Sequence, residues 1–460
     1  MIARHAHAIF RGFASYWQEC SLQTCNHEGT CYNECSIKNF YGGIPLLLER
    51  KIDMKNLLVA QSGGPSAAIN ATLVGVVEKG LADCNIDRIY GAANGIMGLM
   101  RGNLIELNDK LSDPAVLQLL CQTPSSALGS CRMKLSNFEE NTFEYEKIIQ
   151  IFRKYDIGYF VYIGGNDSMD TVHKISQYCE RMHIDDIKII GAPKTIDNDL
   201  METDHCPGFG SAAKYVATTM SEISCDCNVY AQPSVTIVEI MGRDAGWLTA
   251  SSALGRLNGD TAPDLIYLCE RPFSVDHFLD DVRSKMEEKH SIVIAVSEGI
   301  RNEEGDYVTD SLQDRAADAF GHKILAGASR YLEEIIRFEI GCKVRSIELN
   351  VMQRCASHVA SASDIYESRL LGAAAADYCI SGGTGKMACI KRTSTKPYRF
   401  EIDFVEIEKI ANQVKKVPDE WINAAGNDVT QEMIDYLLPL IQGELPCTFK
   451  NGVPVHLRLY

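Results

Sequence analysis

The chain has 460 residues, with 45 Lys and Arg against 61 Asp and Glu, so its formal net charge is −16. A hydrophobic fraction of 46% and a charged fraction of 23% are typical of a globular chain and exclude a disordered one. The negative charge argues against broad nucleic-acid or membrane-surface binding, and no apolar run reaches the ~18 residues that a membrane helix needs.

Residues 1–53 differ from the rest of the chain. Four cysteines lie near His27 with C-x4-C-x5-C-x3-C spacing, which matches none of the common zinc patterns. They are Cys20, Cys25, Cys31 and Cys35. A metal site and a transit peptide stay open as alternatives here. We expect an appended, poorly structured and dispensable arm, because Met54 opens the first run that reads as a strand.

The cysteine pattern bears on the cellular compartment. The chain has 17 cysteines, an odd number, and most of them are scattered singly in apolar segments. Reduced thiols pack in this way, as small hydrophobic residues. Because disulfide frameworks belong to oxidising compartments, the pattern predicts a cytoplasmic protein without such a framework.

From Leu57 onward, short apolar runs alternate with amphipathic segments. Strands are predicted at Leu57–Ala60, Tyr159–Ile163, Ile187–Ile190, Val235–Ile240, Leu265–Leu268, Ile292–Val296 and Val344–Leu349. Helices are predicted at Ala67–Lys79, Ser168–Met182, Val275–Lys289, Phe404–Val414 and Thr430–Ile441, with another from about Ala245. This alternation indicates a parallel α/β fold. There are too many units for one comfortable sheet, so we expect two lobes.

Polar loops follow three strands of the first half. Because the carboxyl ends of parallel strands form the ligand crevice, these loops are candidate binding sites. The first two contain Gly63-Gly64 and Gly164-Gly165, whose backbone N–H groups could approach a phosphate, although ordinary tight turns and helix caps also use such residues. The third, Lys194–Asp199, combines a lysine with two aspartates that could serve as a general base or bind Mg²⁺.

The second half adds cations and a carboxylate after its strands: Met241-Gly242-Arg243, Glu298, Arg345 and Arg354. Each alone could form an ordinary salt bridge. Together with the glycine loops, they offer the phosphate cradles, metal ligands, cations and base that phosphoryl transfer needs. Neither a P-loop nor the protein-kinase motif set is present.

The ordered motifs carry a resemblance to a known family. They are Ser62–Pro65, Gly164–Ser168, Pro193–Asp199, Glu239–Arg243, Ser297–Gly299 and Gln353-Arg354. Their sequence and order resemble the phosphofructokinase family from about Leu57 to Gly383. The resemblance implies two Rossmann-like three-layer α/β lobes with mostly parallel sheets and an active site in the cleft between them. Residues 54–208 would form the larger lobe, 209–353 the smaller lobe, 354–402 a return to the larger lobe, and 403–460 a C-terminal helical addition.

Three positions point to the pyrophosphate-dependent branch of that family. Asp167 stands where ATP-using members have glycine, and its carboxylate would clash with the α-phosphate of ATP. Lys194 could neutralise a leaving phosphate, and Ile96 replaces the aromatic residue that would stack on adenine. The resemblance implies reversible transfer from pyrophosphate to the 1-hydroxyl of fructose 6-phosphate in glycolysis, giving fructose 1,6-bisphosphate and phosphate. An ATP-dependent 6-phosphofructokinase and an inactive sugar-phosphate-binding paralogue stay open as alternatives.

The resemblance also implies roles for individual residues. Asp197 would be the general base, with Lys194 and Asp167 acting on the donor. The donor phosphates would contact Gly64, Arg132, Gly165 and Asn166. The sugar would contact Thr195, Ile196, Asp197, Met241, Gly242, Arg243 and Glu298, and its 6-phosphate Arg345 and Arg354, with Tyr366 and Arg369 as weaker candidates. Mg²⁺ would be held at Asn166 and Asp199.

Some positions depart from the pattern of the bacterial ATP-using members. Asn166 replaces the usual aspartate, which makes the metal ligands less certain. Ser234 and Val351 replace an arginine and a histidine, so the 6-phosphate pocket is less basic. Val74 replaces an effector-site arginine, which predicts little effector control. The resemblance further implies a homo-oligomer, specifically a dimer, and no nucleic-acid or membrane partner.

Overall fold

A computed structural model of the chain describes residues 54–229, 231–309, 327–410 and 413–460. Residues Lys55–Tyr460 form one compact unit. The predictions made for residues 1–53, including their four cysteines, lie outside the described residues. Within the described ranges, none of the helices has the length and apolar character to cross a membrane, and 13 cysteines are free thiols.

The strands and helices alternate along most of the unit. The strands are β1 Lys55–Gln61, β2 Ile86–Ala92, β3 Leu104–Glu106, β4 Ile157–Gly164, β5 Lys188–Pro193, β6 Ser234–Ile240, β7 Leu265–Tyr267, β8 Ser291–Ser297, β9 Lys343–Glu348, β10 Lys386–Thr395, β11 Tyr398–Glu406, β12 Phe449–Lys450 and β13 Val453–Pro454. The helices are α1 Ile69–Ala82, α2 Gly95–Arg101, α3 Pro114–Gln122, α4 Phe143–Lys154, α5 Asn166–Arg181, α6 Phe209–Cys227, α7 Trp247–Ala250, α8 Val275–Glu288, α9 Ala328–Glu339, α10 Met352–Cys355, α11 Ala362–Ile380 and α12 Gln431–Leu437.

The larger sheet has seven strands in the order β11-β10-β5-β4-β1-β2-β3. Its central strands are parallel, and only the edge strands β3 and β11 run antiparallel to their neighbours. Strand β1 is buried on both faces, with Leu57 and Val59 in one core and Leu58 and Ala60 in the other. Burial on both faces explains why β1 reads as a continuous apolar run, as central strands of a three-layer α/β lobe do.

The smaller sheet has four parallel strands in the order β7-β8-β6-β9. It also separates two cores, because Val238 and Ile240 of β6 face one and Val235 and Ile237 face the other. The chain leaves the larger sheet after β5, builds the four strands of the smaller sheet, and returns as β10 and β11. These two sheets confirm the predicted α/β class with mostly parallel strands in two lobes.

Helices α1 and α11 pack closely on one face of the larger sheet. A Cβ atom at Gly372 would lie 2.0 Å from the carbonyl oxygen of Thr72, and one at Gly75 would lie 1.9 Å from that of Arg369. Only glycine therefore permits this separation of the two helix backbones. The contact fixes the direction of the α11 side chains, two of which are candidate substrate ligands.

The predicted helix Phe404–Val414 is wrong, and so the predicted C-terminal addition is not helical at its start. Tyr398–Glu406 is strand β11, which pairs antiparallel with β10, and a 3-10 turn follows at Ile407–Lys409. The physical reason is visible in the sequence. Apolar Tyr398, Phe400, Ile402 and Phe404 alternate with mostly charged residues, a period of two that favours a strand. The helix predicted from about Ala245 begins at Trp247 as the single turn α7, and a 3-10 helix continues it at Ser251–Gly259.

Candidate active site

Three loops of the larger lobe meet at one edge of its sheet. Because β1, β4 and β5 are adjacent and parallel, their carboxyl ends bring the loops of Gly64, Gly165 and Lys194 together. A Cβ atom at Gly63 would lie 4.0 Å from the backbone nitrogen of Gly165 and 3.3 Å from Nζ of Lys194. Gly63 also has a φ of 76°, which favours glycine. The two predicted phosphate loops are therefore neighbours.

The loop after β4 opens helix α5. Ser62 and Ser168 share a hydrogen bond of 2.5 Å between their Oγ atoms, which joins this loop to the one after β1. Nδ2 of Asn166 donates to the carbonyl oxygen of Gln413 at 2.8 Å, so the amide is held by a distant segment of the chain. The carboxylate of Asp167 forms an ion pair of 2.9 Å with Lys134.

Lys194 lies beneath these loops rather than in solvent. Its side chain is buried, and its ammonium donates a hydrogen bond to the carbonyl oxygen of Gly64. The pKa of Lys194 is lowered to about 8, chiefly by burial and also by the charges of Arg354 and Arg132, while the charge of Asp197 opposes the shift. The charged ammonium of Lys194 therefore lies against the Gly64 loop, whose backbone N–H groups could bind phosphate.

The loop after β5 presents Asp197 and Asp199. Oγ1 of Thr195 accepts from the backbone nitrogen of Asp197 at 3.1 Å. Asn198 has a φ of 56°, and its side chain accepts from Cys206 N at 2.9 Å and donates to the hydroxyl of Tyr436 at 2.9 Å. These two hydrogen bonds of the buried Asn198 hold the loop between the two aspartates in place.

Both aspartates titrate above their ordinary range. Burial raises the pKa of Asp197, although Lys194 and Arg243 partly oppose the shift. Burial and the like charge of Asp197 raise the pKa of Asp199 to about 7. Since Lys194 belongs to the larger lobe and Arg243 to the smaller, Asp197 interacts with a cation from each side of the cleft.

The smaller lobe contributes loops from three adjacent strand ends. The backbone nitrogen of Gly242 donates to Oε1 of Glu298 at 3.2 Å, which joins the loops after β6 and β8. The backbone nitrogen of Met241 donates to Oε1 of the buried Gln353 at 3.3 Å, which adds the segment after β9. Burial raises the pKa of Glu298 to about 7, with the charge of Asp197 adding to the shift.

Arg243 and Arg354 occupy different parts of the cleft. Nε of Arg243 donates to Oδ2 of Asp244 at 3.3 Å, and Asp244 also accepts from Arg301 at 2.8 Å. Nη1 of Arg354 would lie 3.5 Å from a Cβ atom at Gly64. Burial lowers the pKa of Arg354, and the charge of Arg132 lowers it further. Arg354 therefore lies against the Gly64 loop on the donor side of the cleft.

The arrangement has the parts of a phosphoryl-transfer site, and comparison with known proteins decides the family. The phosphofructokinase family profile matches residues 56–379. The chain belongs to the phosphofructokinase family. The family predicted from the sequence motifs is therefore confirmed.

Individual relatives point to one branch of the phosphofructokinases. A pyrophosphate–fructose 6-phosphate 1-phosphotransferase of Xanthomonas campestris is 40% identical over 88% of this chain and 96% of its own length. One from Methylococcus capsulatus is 38% identical over the same shares. The crystal structure of a pyrophosphate-dependent phosphofructokinase from Marinobacter aquaeolei matches with a TM-score of 0.76 and 37% identity, covering 88% of this chain and 95% of that one. The resemblance to the pyrophosphate-dependent branch is confirmed.

Most of the predicted site residues of this phosphofructokinase meet in the cleft. They are Gly64, Arg132, Gly165, Asn166, Asp167, Lys194, Thr195, Ile196, Asp197, Asp199, Met241, Gly242, Arg243, Glu298 and Arg354. Ile196 is buried and packs into the core of the smaller lobe. Ile96 is fully buried in α2, so it offers no surface to a nucleotide base.

Three predicted substrate ligands are directed elsewhere. Arg345 is half exposed in the middle of β9 and pairs with Asp226 at 3.4 Å. Arg369 on α11 forms two hydrogen bonds with Glu78, in the last turns of α1 and far from the loop that precedes that helix. Tyr366 is exposed and lies edge-on to Phe400. The role predicted for Arg369 stays a prediction, although the α1–α11 packing directs its guanidinium to the carboxylate of Glu78.

Several residues near the site were not predicted. Lys134 is only two residues after Arg132, so its nearness to the donor loops could have been noticed. Asp244 directly follows the Met-Gly-Arg motif. Lys415, in contrast, lies in a sequence without a motif and reaches the loop of Asp199 only through the fold.

Proposed function

We propose that this chain transfers a phosphoryl group from pyrophosphate to the 1-hydroxyl of fructose 6-phosphate. The products are fructose 1,6-bisphosphate and phosphate, and the reaction is reversible and glycolytic. The observation that carries the proposal is the position of Asp197, which has a raised pKa and interacts with Lys194 of the donor side and Arg243 of the sugar side. The names of the relatives support pyrophosphate as the donor.

The chemistry follows from this arrangement. The oxygen of the 1-hydroxyl forms a bond to the transferred phosphorus, the bridging P–O bond of pyrophosphate breaks, and its electron pair stays on the leaving phosphate. Asp197 accepts the hydroxyl proton, and its raised pKa makes it a better acceptor than an exposed aspartate. Lys194, Arg132 and Arg354 supply the cations that stabilise the charge on the donor and the transferred group.

The sugar would be held from both lobes. Met241, Gly242, Arg243 and Glu298 come from the smaller lobe, and Thr195 and Ile196 from the larger. The resemblance places Arg354 at the 6-phosphate, but its position against the Gly64 loop favours the donor or the transferred phosphate. Arg345 stays a proposed 6-phosphate ligand only if a second copy of the chain brings a substrate to its exposed face.

A magnesium ion fits this donor set. Mg²⁺ binds through one or two carboxylates plus substrate phosphates, and the like charges that raise the pKa of Asp199 are those a dication would relieve. Within the described ranges, no three His, Cys, Asp or Glu side chains come together to hold a metal alone. We propose Asp199 and Asn166 as its ligands, with donor phosphates completing the set. The bound ion would neutralise phosphate charge.

The remaining assignments follow from the family and the sequence. We propose a cytoplasmic homodimer without nucleic-acid or membrane partners. We also propose lobe boundaries at residues 54–208 and 209–353, with the chain returning to the larger lobe after 353 and continuing there through β11.

A coupled assay with pyrophosphate or ATP as donor tests the proposal. We expect turnover with pyrophosphate, formation of pyrophosphate in reverse, and little use of ATP. Faster turnover with ATP would identify an ATP-dependent 6-phosphofructokinase. Fructose 6-phosphate binding without turnover of either donor would identify an inactive sugar-phosphate-binding paralogue. Light scattering of the purified protein would test the dimer separately.

A further inference from the structure

A short segment near the C-terminus contacts two loops of the larger lobe and the segment after β7 in the smaller lobe. This strap, residues 413–417, follows the 3-10 turn after β11 and has no motif of the family. Its first residue, Gln413, accepts from Asn166 of the donor loop at 2.8 Å. Its last, Val417, donates its backbone N–H to Oε1 of Glu270 at 3.0 Å, and the same oxygen accepts from Gly246 at 2.8 Å. The strap therefore joins both lobes.

Lys415, in the middle of the strap, fastens the loop that carries the aspartates. Its backbone nitrogen donates to the carbonyl oxygen of Asp199 at 2.8 Å. Its ammonium donates to the carbonyl oxygens of Thr203 and Asp204 at 3.0 Å and 2.8 Å. Lys415 thus holds this loop at two points, at Asp199 and at Thr203–Asp204.

Trp247 ties the same lysine to the sugar side. Its indole N–H donates to the carbonyl oxygen of Lys415 at 2.8 Å, and Nζ of Lys415 lies 5.2 Å from the centre of its ring. Trp247 begins α7, four residues after Arg243. It also packs against Trp421 and Tyr436, which makes it a rigid support.

We propose that Lys415 is a positioning residue of the phosphoryl transfer, which sets the Asp197–Asp199 loop relative to Asn166 on the donor side and Trp247 on the sugar side. The kinetic test of this inference rests on the proposed function, because it measures the turnover of pyrophosphate. Lys415 touches no reacting group, and it acts through the backbone of the loop.

The physical reason lies in the carbonyl groups that the ammonium satisfies. Removing the cation leaves two carbonyl oxygens without their charged donor, and the loop that holds them can move. A displacement of about 1 Å at a reacting group can cost on the order of 100-fold in rate. Substrate binding would change less, because most of the proposed phosphate and sugar contacts come from other loops, such as those of Gly64 and Arg243.

Lys415→Met is the test variant, Lys415→Arg the conservative one, and Lys416→Met the matched control at the exposed neighbouring residue. We expect Lys415→Met to lower kcat by about 10- to 100-fold while both KM values change less than about threefold. Lys415→Arg should recover part of the rate, and Lys416→Met should match the unmutated protein. A Lys415→Met variant with unchanged kcat, or with raised KM values alone, would overturn the proposal.

Two further measurements keep the inference testable. Hydrogen exchange of the amides in residues 197–208 should be faster in Lys415→Met than in Lys416→Met, whether or not the chain turns over pyrophosphate. If Lys415→Met does not fold, Trp247→Phe removes the indole donor and keeps a ring, and we expect kcat to fall about 3- to 10-fold. Unchanged exchange in the first case, or unchanged kcat in the second, would refute the role of Lys415. An inactive unmutated chain would instead refute the proposed function.

Discussion

The carboxylate of Asp167 lies 2.9 Å from the ammonium of Lys134, beside the two glycine loops of the donor side. Both side chains are partly exposed, so this ion pair contributes little to the stability of the fold. Its consequence is local. The pair keeps a carboxylate in the first turn of α5, where ATP, unlike pyrophosphate, would have to place its α-phosphate.

Replacing Asp167 should therefore change the choice of donor. We expect Asp167→Gly to raise kcat/KM for ATP, because it removes both the volume and the like charge, which can cost several kcal/mol. Asp167→Asn keeps the volume and should recover only part of the gain. Glu180→Gln, at an exposed site on the same helix, is the control. Steady-state rates with both donors measure the effect, and an ATP rate unmoved by Asp167→Gly would contradict this role.

The charge of Lys194 should appear in the pH dependence of donor use. Its pKa is lowered to about 8, so the ammonium is charged below that pH and neutral above it. We expect kcat/KM for pyrophosphate to decline as pH rises through about 8. Lys194→Arg should move the decline to higher pH, and Lys194→Gly should lower pyrophosphate use most below about pH 8, where the unmutated lysine is charged. A decline that stays in place in Lys194→Arg would assign it to another group or to the donor itself.

Asp197 should matter for the chemical step more than for binding. We expect Asp197→Asn or Asp197→Ser to reduce kcat by about 10²–10⁴, the usual contribution of general acid–base catalysis. The binding constant for fructose 6-phosphate should change much less, because the proton is lost only as transfer proceeds. Turnover and equilibrium binding on the same preparation separate the two effects. Near-normal kcat would mean that another group accepts the proton.

The sequence predicts the central part of this fold well and its edges poorly. Buried parallel strands such as β1 and β4 are continuous apolar runs followed by glycine loops. The sequence therefore predicts both the strands and the edge of the sheet at which ligands bind. The helix predicted from Phe404 overlaps the end of strand β11, which lies at the edge of the sheet and lacks the continuous apolar run of a central strand.

The same contrast holds for the site. Residues within motifs, such as Asp197 and Arg243, can be assigned because they follow predicted strands. Long-range contacts cannot be, since Lys415 meets Asp199 only after more than 200 intervening residues have folded. Arg369 illustrates the reverse case, because a basic residue near a motif can also pair within the helix packing, as Arg369 does with Glu78.

Arg369 and Arg354 should behave differently when replaced by methionine. Arg369 is half-buried and pairs with Glu78 through two hydrogen bonds, so Arg369→Met should lower the free energy of unfolding by about 1–2 kcal/mol and leave kcat/KM nearly unchanged. Arg354→Met should lower kcat/KM by more than about 100-fold with little effect on stability. Denaturant unfolding and steady-state kinetics of the two variants decide this. Loss of activity in Arg369→Met at normal stability would return that residue to the substrate site.

A buried charge network lies behind the loop that carries Asp197. Nδ1 of His205 lies 2.7 Å from Asp204, and its Nε2 lies 2.5 Å from Glu367. Arg392 pairs with Asp204, and the hydroxyl of Tyr398 donates to Glu367 at 2.8 Å. Two carboxylates thus face a histidine and an arginine in a balanced group that joins the loop to α11, β10 and β11.

His205 should make the stability of the protein fall at alkaline pH. Its neighbouring carboxylates outweigh burial and raise its pKa from 6.5 to about 9. Because its pKa is higher in the folded protein than in the unfolded chain, protonated His205 stabilises the folded state. This contribution is complete below the pKa of the unfolded chain and is lost as pH rises through about 9. The shift corresponds to a contribution on the order of 3 kcal/mol.

The ionisation of buried thiols also lowers the stability of the fold as pH rises. The effect of His205 is therefore measured as the difference in unfolding free energy between the unmutated protein and His205→Gln. We expect this difference to shrink between pH 7 and pH 9.5, and a constant difference would mean that His205 is neutral in the folded protein.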